Sequence, residues 1–433
     1  MNNSNRFSFI KPEKSPVFYG YIILFFGSIG VLASAPGQTV GVSVFTDPVK
    51  DALGLTRNQF SNAYMIGTFM SSFLIGKAGK WFDEFGARYV AFFAALLLGV
   101  SLVLCSLSVN ISNAISSVLD IQSWLIPFTV ITISFFLIRF SGQGVITMSS
   151  RNMIMLWFDK NRGKVNSISS IGVSLGFSLS PMFFSGLIDD YGWQQSWQIL
   201  AVCLFVFSIC VIQFYRNKPE DFNLKPDGIE SEKEESSLIQ TKTDFTLAEA
   251  KMTRAFWIIG LTLAFNSFFI TGFTFHIVSI FESQALSKSQ AIAIFLPISI
   301  ISISVSTLCN ILSDYIKHRI YVLIMITSGF LASLGLLFLS KPFGIYMLIS
   351  GLGILGGLFA VVNAVTWPRY FGRKYLGAIT GKVMSFLVIA SAIAPTIFSY
   401  SFSNLGSYSF ISYLNMMFLV VLFVGYFKVK NPQ

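Results

Sequence analysis

The sequence predicts an all-α membrane protein with twelve transmembrane helices in two pseudo-symmetric six-helix bundles. Three observations carry this reading. Hydrophobic residues make up 54% of the chain and charged residues only 12%, against about 25% charged in ordinary soluble domains. Apolar runs follow one another, each long enough to cross a hydrocarbon core about 30 Å thick as a helix. Phrases from the first half of the chain also recur in the second.

In chain order the runs are 17–44, 58–80, 87–109, 125–150, 164–188, 194–215, 254–281, 288–313, 319–340, 343–366, 378–403 and 406–428. The first contains Pro36-Gly37-Gln38, expected to interrupt its helix because proline supplies no N–H. Spans two and three are parted by the charged phrase "GKWFDEFGARYV", and span four carries Arg139 inside "FFLIRFSGQG". The close of the first bundle, 17–215, is followed by a polar linker, 216–253, whose last part, "TLAEAKMTRAFW", is expected to form a short interfacial helix. Spans seven to twelve form the second bundle, 254–428. Spans four and ten hold the glycine-rich runs "GQG" and "GLGILGGLF", which suit close helix packing.

The tails are 1–16 and 429–433. The first, "MNNSNRFSFIKPEKSP", has no small-residue cleavage site, so the first span is expected to be retained. Assigning loops alternately to two sides gives one side 24 of the 30 Lys and Arg and the other only Lys50, Arg57, Lys288 and Lys341. The positive-inside rule then puts both termini and the linker in the cytoplasm of a cell membrane, a bacterial inner membrane or a plasma membrane. The net charge of +10 is thus an orientation signal and no sign of a nucleic-acid partner. Cys105, Cys203, Cys210 and Cys309 fall inside spans and read as small apolar packing residues. Neither a metal site nor a cofactor is expected, and no Gly-x-x-x-x-Gly-Lys-Ser/Thr loop suggests ATP use.

Ionisable groups inside spans are costly and mark candidate sites. All 20 carboxylates fall outside the apolar cores, which leaves Arg139, Lys382 and His276. Arg139 sits about 21 Å along span four at 1.5 Å per residue, too deep to snorkel. It either holds an anionic group in a cavity, by two hydrogen bonds to a carboxylate, or binds carbonyls freed at the break in span one. Lys382 is a second cation on a substrate path or a snorkelling residue. His276, able to titrate in the working pH range, is either a proton-coupling group or a structural histidine. Gln38, Asn266 and Asn363 could each contact a substrate or hydrogen-bond between helices. One midplane arginine and one histidine make no nucleophile-base set, so an enzyme is not expected.

Two pairs of phrases repeat across the linker: "GKWFDEFGARYV" with "NILSDYIKHRIYV", and "MLWFDKNRGKVNSI" with "WPRYFGRKYLGAITG". Parallel repeats with a site at their interface are one architecture of secondary transporters. Gly79-Lys-Trp-Phe-Asp83-Glu84-Phe-Gly86-Ala-Arg88 resembles the Gly-x-x-x-Asp-Arg/Lys-x-Gly-x-Arg/Lys signature of the major facilitator superfamily, with Glu84 where the family usually has a base. Asn310 to Arg319, including Asp314, is a looser copy without the glycines. Arg139-Phe-Ser-Gly142-Gln143-Gly144 resembles the family's fourth-helix motif. Gly176 to Pro181 is similar to the fifth-helix element of many exporters, with Ser180 in place of its second glycine. "YGYIILFFGSIGVLASAPGQTVGVSVF", "SSRNMIMLWFDKNRGKVNSI" and "YFGRKYLGAITG" are similar to the monocarboxylate and oxalate/formate-transporter-like branch.

The resemblance implies the major facilitator fold and a monomeric transporter of a small-molecule substrate. It implies cavity-lining roles for spans one, seven and ten, and a small carboxylate carried with a proton or by exchange. Several relatives of that branch rely on a cation in helix eight, and span eight here has none. By the same resemblance Gly79, Asp83, Gly86, Arg88, Arg151, Asp314 and Arg319 form a conformational gate. In it Asp83 contacts Arg151 and the N-terminus of helix eleven. The expected function is secondary transport of an organic anion, with proton symport ahead of exchange. The alternatives are an exporter of amphipathic or cationic compounds and a transporter-like sensor acting through its linker.

Overall fold

The computed structural model describes residues 11–228, 243–312, 315–429 and 431–432, so Asp314 lies outside the described residues. Ten of the described helices are long and apolar enough to cross a membrane. Span one is α1, Gly20–Ala33, and α2, Thr39–Ala52, separated by a 3-10 turn over Ala35–Gly37. Spans two and three share α3, Arg57–Ser106, and spans five and six share α7, Arg162–Phe214. At 1.5 Å per residue such lengths exceed one bilayer crossing about twofold. The bends fall at Gly86 (φ 82°) and Gly192 (φ 77°), backbone conformations that side chains with a Cβ resist. Each long helix therefore supplies two of the twelve predicted spans.

Between them α4, Ser108–Leu119, is a helix beyond span three that the sequence reading missed. Span four comprises α5, Leu125–Ile138, a π-helical turn over Arg139–Ile146, and α6, Thr147–Trp157. The linker ends in α8, Leu247–Met252, opened by a capping box of Thr246 and Glu249, the arrangement that satisfies the first orphan N–H groups of a helix. Then follow α9, Arg254–Glu282; α10, Lys288–Ala293; α11, Phe295–Leu312; α12, His318–Leu337; α13, Pro342–Phe371; α14, Leu376–Leu405; and α15, Ser409–Phe427.

Two compact units result. The first comprises Met1–Asp159, Gly172–Glu234 and Leu376–Ser385; the second comprises Lys160–Ile171, Glu235–Tyr375 and Phe386–Gln433. Each is one half of the sequence with a short piece exchanged: the first turns of α14 belong to unit one, and those of α7 to unit two. The surface suits lipid. On α15 Tyr413, Met417, Val420 and Val424 are exposed while Ile411, Leu419, Leu422 and Tyr426 are buried, a helical stripe turned apolar-side out. In water such a face would be a liability; against acyl chains it needs no cover.

Candidate functional site

In unit one the site begins with the backbone. Pro36 falls at the α1–α2 break, and because the Gly41 N–H donates to Gln38 O the Gly37 carbonyl is left outside the α-helical i→i−4 ladder. Gly37 and Gly142 lie backbone to backbone: a Cβ on Gly37 would stand 2.7 Å from Gly142 Cα, and one on Gly142 2.8 Å from Gly37 Cα. The glycine-rich "GQG" allows this approach, and the π-turn, which places one extra residue in the helical repeat, sits at the same level.

Arg139, at the first residue of that turn, is fully buried. Its Nη1 donates to Gly37 O at 3.0 Å, and its guanidinium carbon lies 5.2 Å from the ring centre of Tyr64, within cation–π range. Among the described residues its Nε and Nη2 have no hydrogen-bond acceptor. Gln38, the next residue after the acceptor, donates to Ser34 Oγ at 2.9 Å and Thr147 Oγ1 at 3.1 Å, and Tyr64 donates to Thr39 Oγ1 at 3.0 Å. The structure thus brings Arg139 and Gln38 together around one broken helix. Gly142→Val is expected to cost about 1–3 kcal/mol or more, since neither backbone can retreat cheaply; thermal unfolding of the purified protein in detergent checks this.

A second cluster in unit one surrounds Asp83. Its Oδ1 accepts the Gly377 N–H and its Oδ2 the Ala378 N–H, each at 2.7 Å. These are first-turn donors of α14, whose own N-cap residue Tyr375 provides no side-chain cap. A carboxylate fits there because unpaired N–H groups and the helix dipole both favour negative charge. The approach requires glycine on both sides: a Cβ on Gly79 would meet Gly377 O at 2.1 Å, and one on Gly381 would meet Gly79 Cα at 2.9 Å. Asn152 adds a hydrogen bond to Thr380 Oγ1 at 2.6 Å. The Arg88 N–H donates to Asn217 Oδ1 at 3.4 Å beside the Gly86 bend. Arg151 forms no ion pair with Asp83 among the described residues. The contacts of Asp83 among the described residues are thus to backbone donors on α14.

Unit two answers with a different chemistry at the corresponding place. Asn166, at the start of α7, donates to Asn310 Oδ1 at 2.7 Å and to Ala360 O at 3.4 Å. Asn310 occupies the repeat position of Gly79. Arg319 Nη2 reaches Phe427 O, the last carbonyl of α15, at 3.4 Å. Also in unit two, His276 Nε2 lies 2.9 Å from Pro395 O, with its ring stacked on Phe398 at 6.2 Å.

Comparison with known proteins decides the family. The family model of the Major Facilitator Superfamily matches residues 17–395. The chain belongs to this superfamily. Monocarboxylate transporter 10 of Rattus norvegicus is 25% identical over 271 residues, covering 60% of this chain and 51% of that protein. The uncharacterized MFS-type transporter YhjX of Escherichia coli K12 is 25% identical over 301 residues, covering 67% of this chain and 60% of that one. The matched region thus spans about half to three-fifths of these relatives' length. The solved structure of the MFS proton:xylose symporter XylE superposes with a TM-score of 0.61 at 15% identity, over 95% of each chain. The superfamily is one of transporters rather than enzymes.

Within this superfamily fold, the remaining candidates scatter. Lys382 lies in unit one, half-buried on the second turn of α14. Asn266 is buried on α9 and Asn363 half-buried on α13, both in unit two. Sequence reasoning missed Tyr64, Ser34 and Thr147, neutral residues inside spans that no charge or motif singles out. Asn166 and Asn310 escaped for the same reason, although two asparagines at the ends of apolar runs are a readable signal.

Proposed function

We propose that the chain is a secondary transporter that moves a small carboxylate across the membrane by alternating access, with a proton as co-substrate. The observation that carries this reading is the state of Arg139. Nε and Nη2 are the two donors on one edge of the guanidinium plane, the fork that a carboxylate accepts side-on through both its oxygens. Here that fork is buried and has no partner among the described residues, while Nη1 donates to Gly37 O. A buried charge with idle donors is several kcal/mol less stable than a paired one, so a carboxylate entering this site would find donors already oriented and already stripped of water.

Gln38, whose amide would exchange a bond to Ser34 or Thr147 for one to the anion, is with Lys382, Asn266 and Asn363 a further substrate contact of this proposal. His276 is its proton-coupling group, held by Pro395 O at one ring nitrogen. Asp83, with Gly79, Gly86, Arg88, Arg151, Asp314 and Arg319, is its gate. The similarity to monocarboxylate transporter 10 supports the substrate class.

Radiolabelled uptake of a panel of small mono- and dicarboxylates into proteoliposomes, with and without an imposed pH gradient, tests this. At least one carboxylate is expected to accumulate, faster when the gradient is imposed. Absence of carboxylate flux across the panel would remove the reading, and flux indifferent to the gradient would remove its proton.

A further inference from the structure

Both ends of the central linker are held by an aspartate on a turn that precedes a membrane helix. At the C-terminal end, in unit two, Asp244 Oδ1 accepts the N–H groups of Arg373 at 2.9 Å and Lys374 at 3.2 Å. The Phe245 N–H donates to Phe371 O at 2.9 Å, and the two phenyl rings meet edge-on at 5.7 Å. The turn is shaped for this contact. Gly372 has φ 84°, and a Cβ there would lie 2.2 Å from Asp244 Oδ1, so only glycine both turns the chain and leaves room for the carboxylate. The capping box at Thr246 fixes the segment two residues later.

At the N-terminal end, in unit one, Asp227 Oδ2 accepts the Asp159 N–H at 2.9 Å. Phe222 stacks on Trp157 at 6.5 Å, and Trp157 Nε1–H donates to Arg216 O at 3.2 Å. The two turns lie in the repeated phrases "MLWFDKNRGKVNSI" and "WPRYFGRKYLGAITG". One device, an aspartate plus an aromatic pair, is therefore used at corresponding turns of the repeat, within one or two positions of each other, by the two ends of one linker.

We infer that Asp244 is a positioning residue for the transport cycle: by fixing the Gly372–Lys374 turn it sets where α14 begins, and so presents the Gly377 and Ala378 N–H groups to Asp83. Four N–H groups within six consecutive residues, those of 373, 374, 377 and 378, are taken by two carboxylates. With Leu376 opening the helix, only two residues, Tyr375 and Leu376, separate the two sets, which leaves little slack for one to move without the other. Asp227 does the corresponding work for the turn before α7. The role in transport rests on the alternating-access reading above; the coupling between the two carboxylates does not.

Hydrogen–deuterium exchange of the full chain in lipid nanodiscs separates them. Asp244 is exposed, so its variants are expected to fold. Asp244→Ala is expected to speed exchange about tenfold at Arg373 and Lys374 and also at Gly377 and Ala378, as local opening at a lost charge-assisted bond predicts. Asp244→Asn, which keeps an acceptor oxygen, should stay within about twofold of wild type. Asp227→Ala should act at 159–162 and leave 373–378 alone. Faster exchange confined to 373 and 374, with 377 and 378 at the wild-type rate, would overturn the positioning role. In carboxylate uptake, Asp244→Ala is expected to lower the maximal rate at unchanged half-saturation, with recovery in Asp244→Asn. Coupled exchange in a protein that moves no carboxylate would overturn the transport reading and leave the positioning of α14 standing.

Discussion

Arg139→Lys is expected to weaken carboxylate transport about 10- to 100-fold while the protein still inserts and folds. The magnitude follows from charge-assisted hydrogen bonds of about 1.5–3 kcal/mol, with 1.4 kcal/mol to each factor of ten. Lysine keeps the positive charge and can still donate to the Gly37 carbonyl and face the Tyr64 ring. It lacks the planar Nε–Nη2 fork that now stands unpaired. The loss should fall on half-saturation more than on maximal rate, because the fork acts in binding. Uptake kinetics together with thermal unfolding of the purified variant check this. Loss of folded protein in the lysine variant would mean that the arginine serves the broken helix alone.

The second large effect is expected at Asp83. Asp83→Ala strips two charge-assisted bonds from the first turn of α14 and leaves the Gly377 and Ala378 N–H groups without a partner. At about 1.5–3 kcal/mol for each such bond, the conformation that contains the contact should lose a factor of about 10² or more in population. Thr380→Cys, one helical turn along, provides the readout. Its labelling by a water-soluble maleimide should quicken at least about tenfold when Asp83→Ala is added. Asp83→Asn should fall between, since an amide keeps one acceptor but turns an NH₂ toward an N–H donor.

How much of this the sequence holds depends on the range of the interaction. All twelve spans were legible because bilayer thickness acts on every apolar run locally, and the break at Pro36 was legible because proline removes its own N–H. The Gly86 bend lay in a motif whose spacing resembled the family's. The fusion of spans into α3 and α7 was not legible, since a glycine with positive φ lets a helix turn without a loop of turn residues. The π-turn at Arg139 has no residue code of its own. Arg139 itself was visible as a lone charge, but its division into one committed donor and two idle ones depends on Gly37, 102 residues away. The partner of Asp83 was half visible. The helix-eleven N-terminus and an arginine partner both came with the resemblance, Arg151 being matched to it by its place at the inner end of span four, and the backbone N–H groups that hold Asp83 carry no signature in any residue type. Asp244 was invisible for that same reason: its partners are backbone donors on a turn 129 residues away.

Carboxylate transport as proposed depends on the unpaired edge of Arg139 as the binding site. Thermal unfolding of purified wild type and Arg139→Gln across a titration of the carboxylate that is transported best measures that directly, because a ligand bound only by the folded state raises the midpoint with its concentration. The expected result is a concentration-dependent rise for wild type and none for Arg139→Gln. Equal rises in both proteins would contradict it and place the carboxylate away from Arg139.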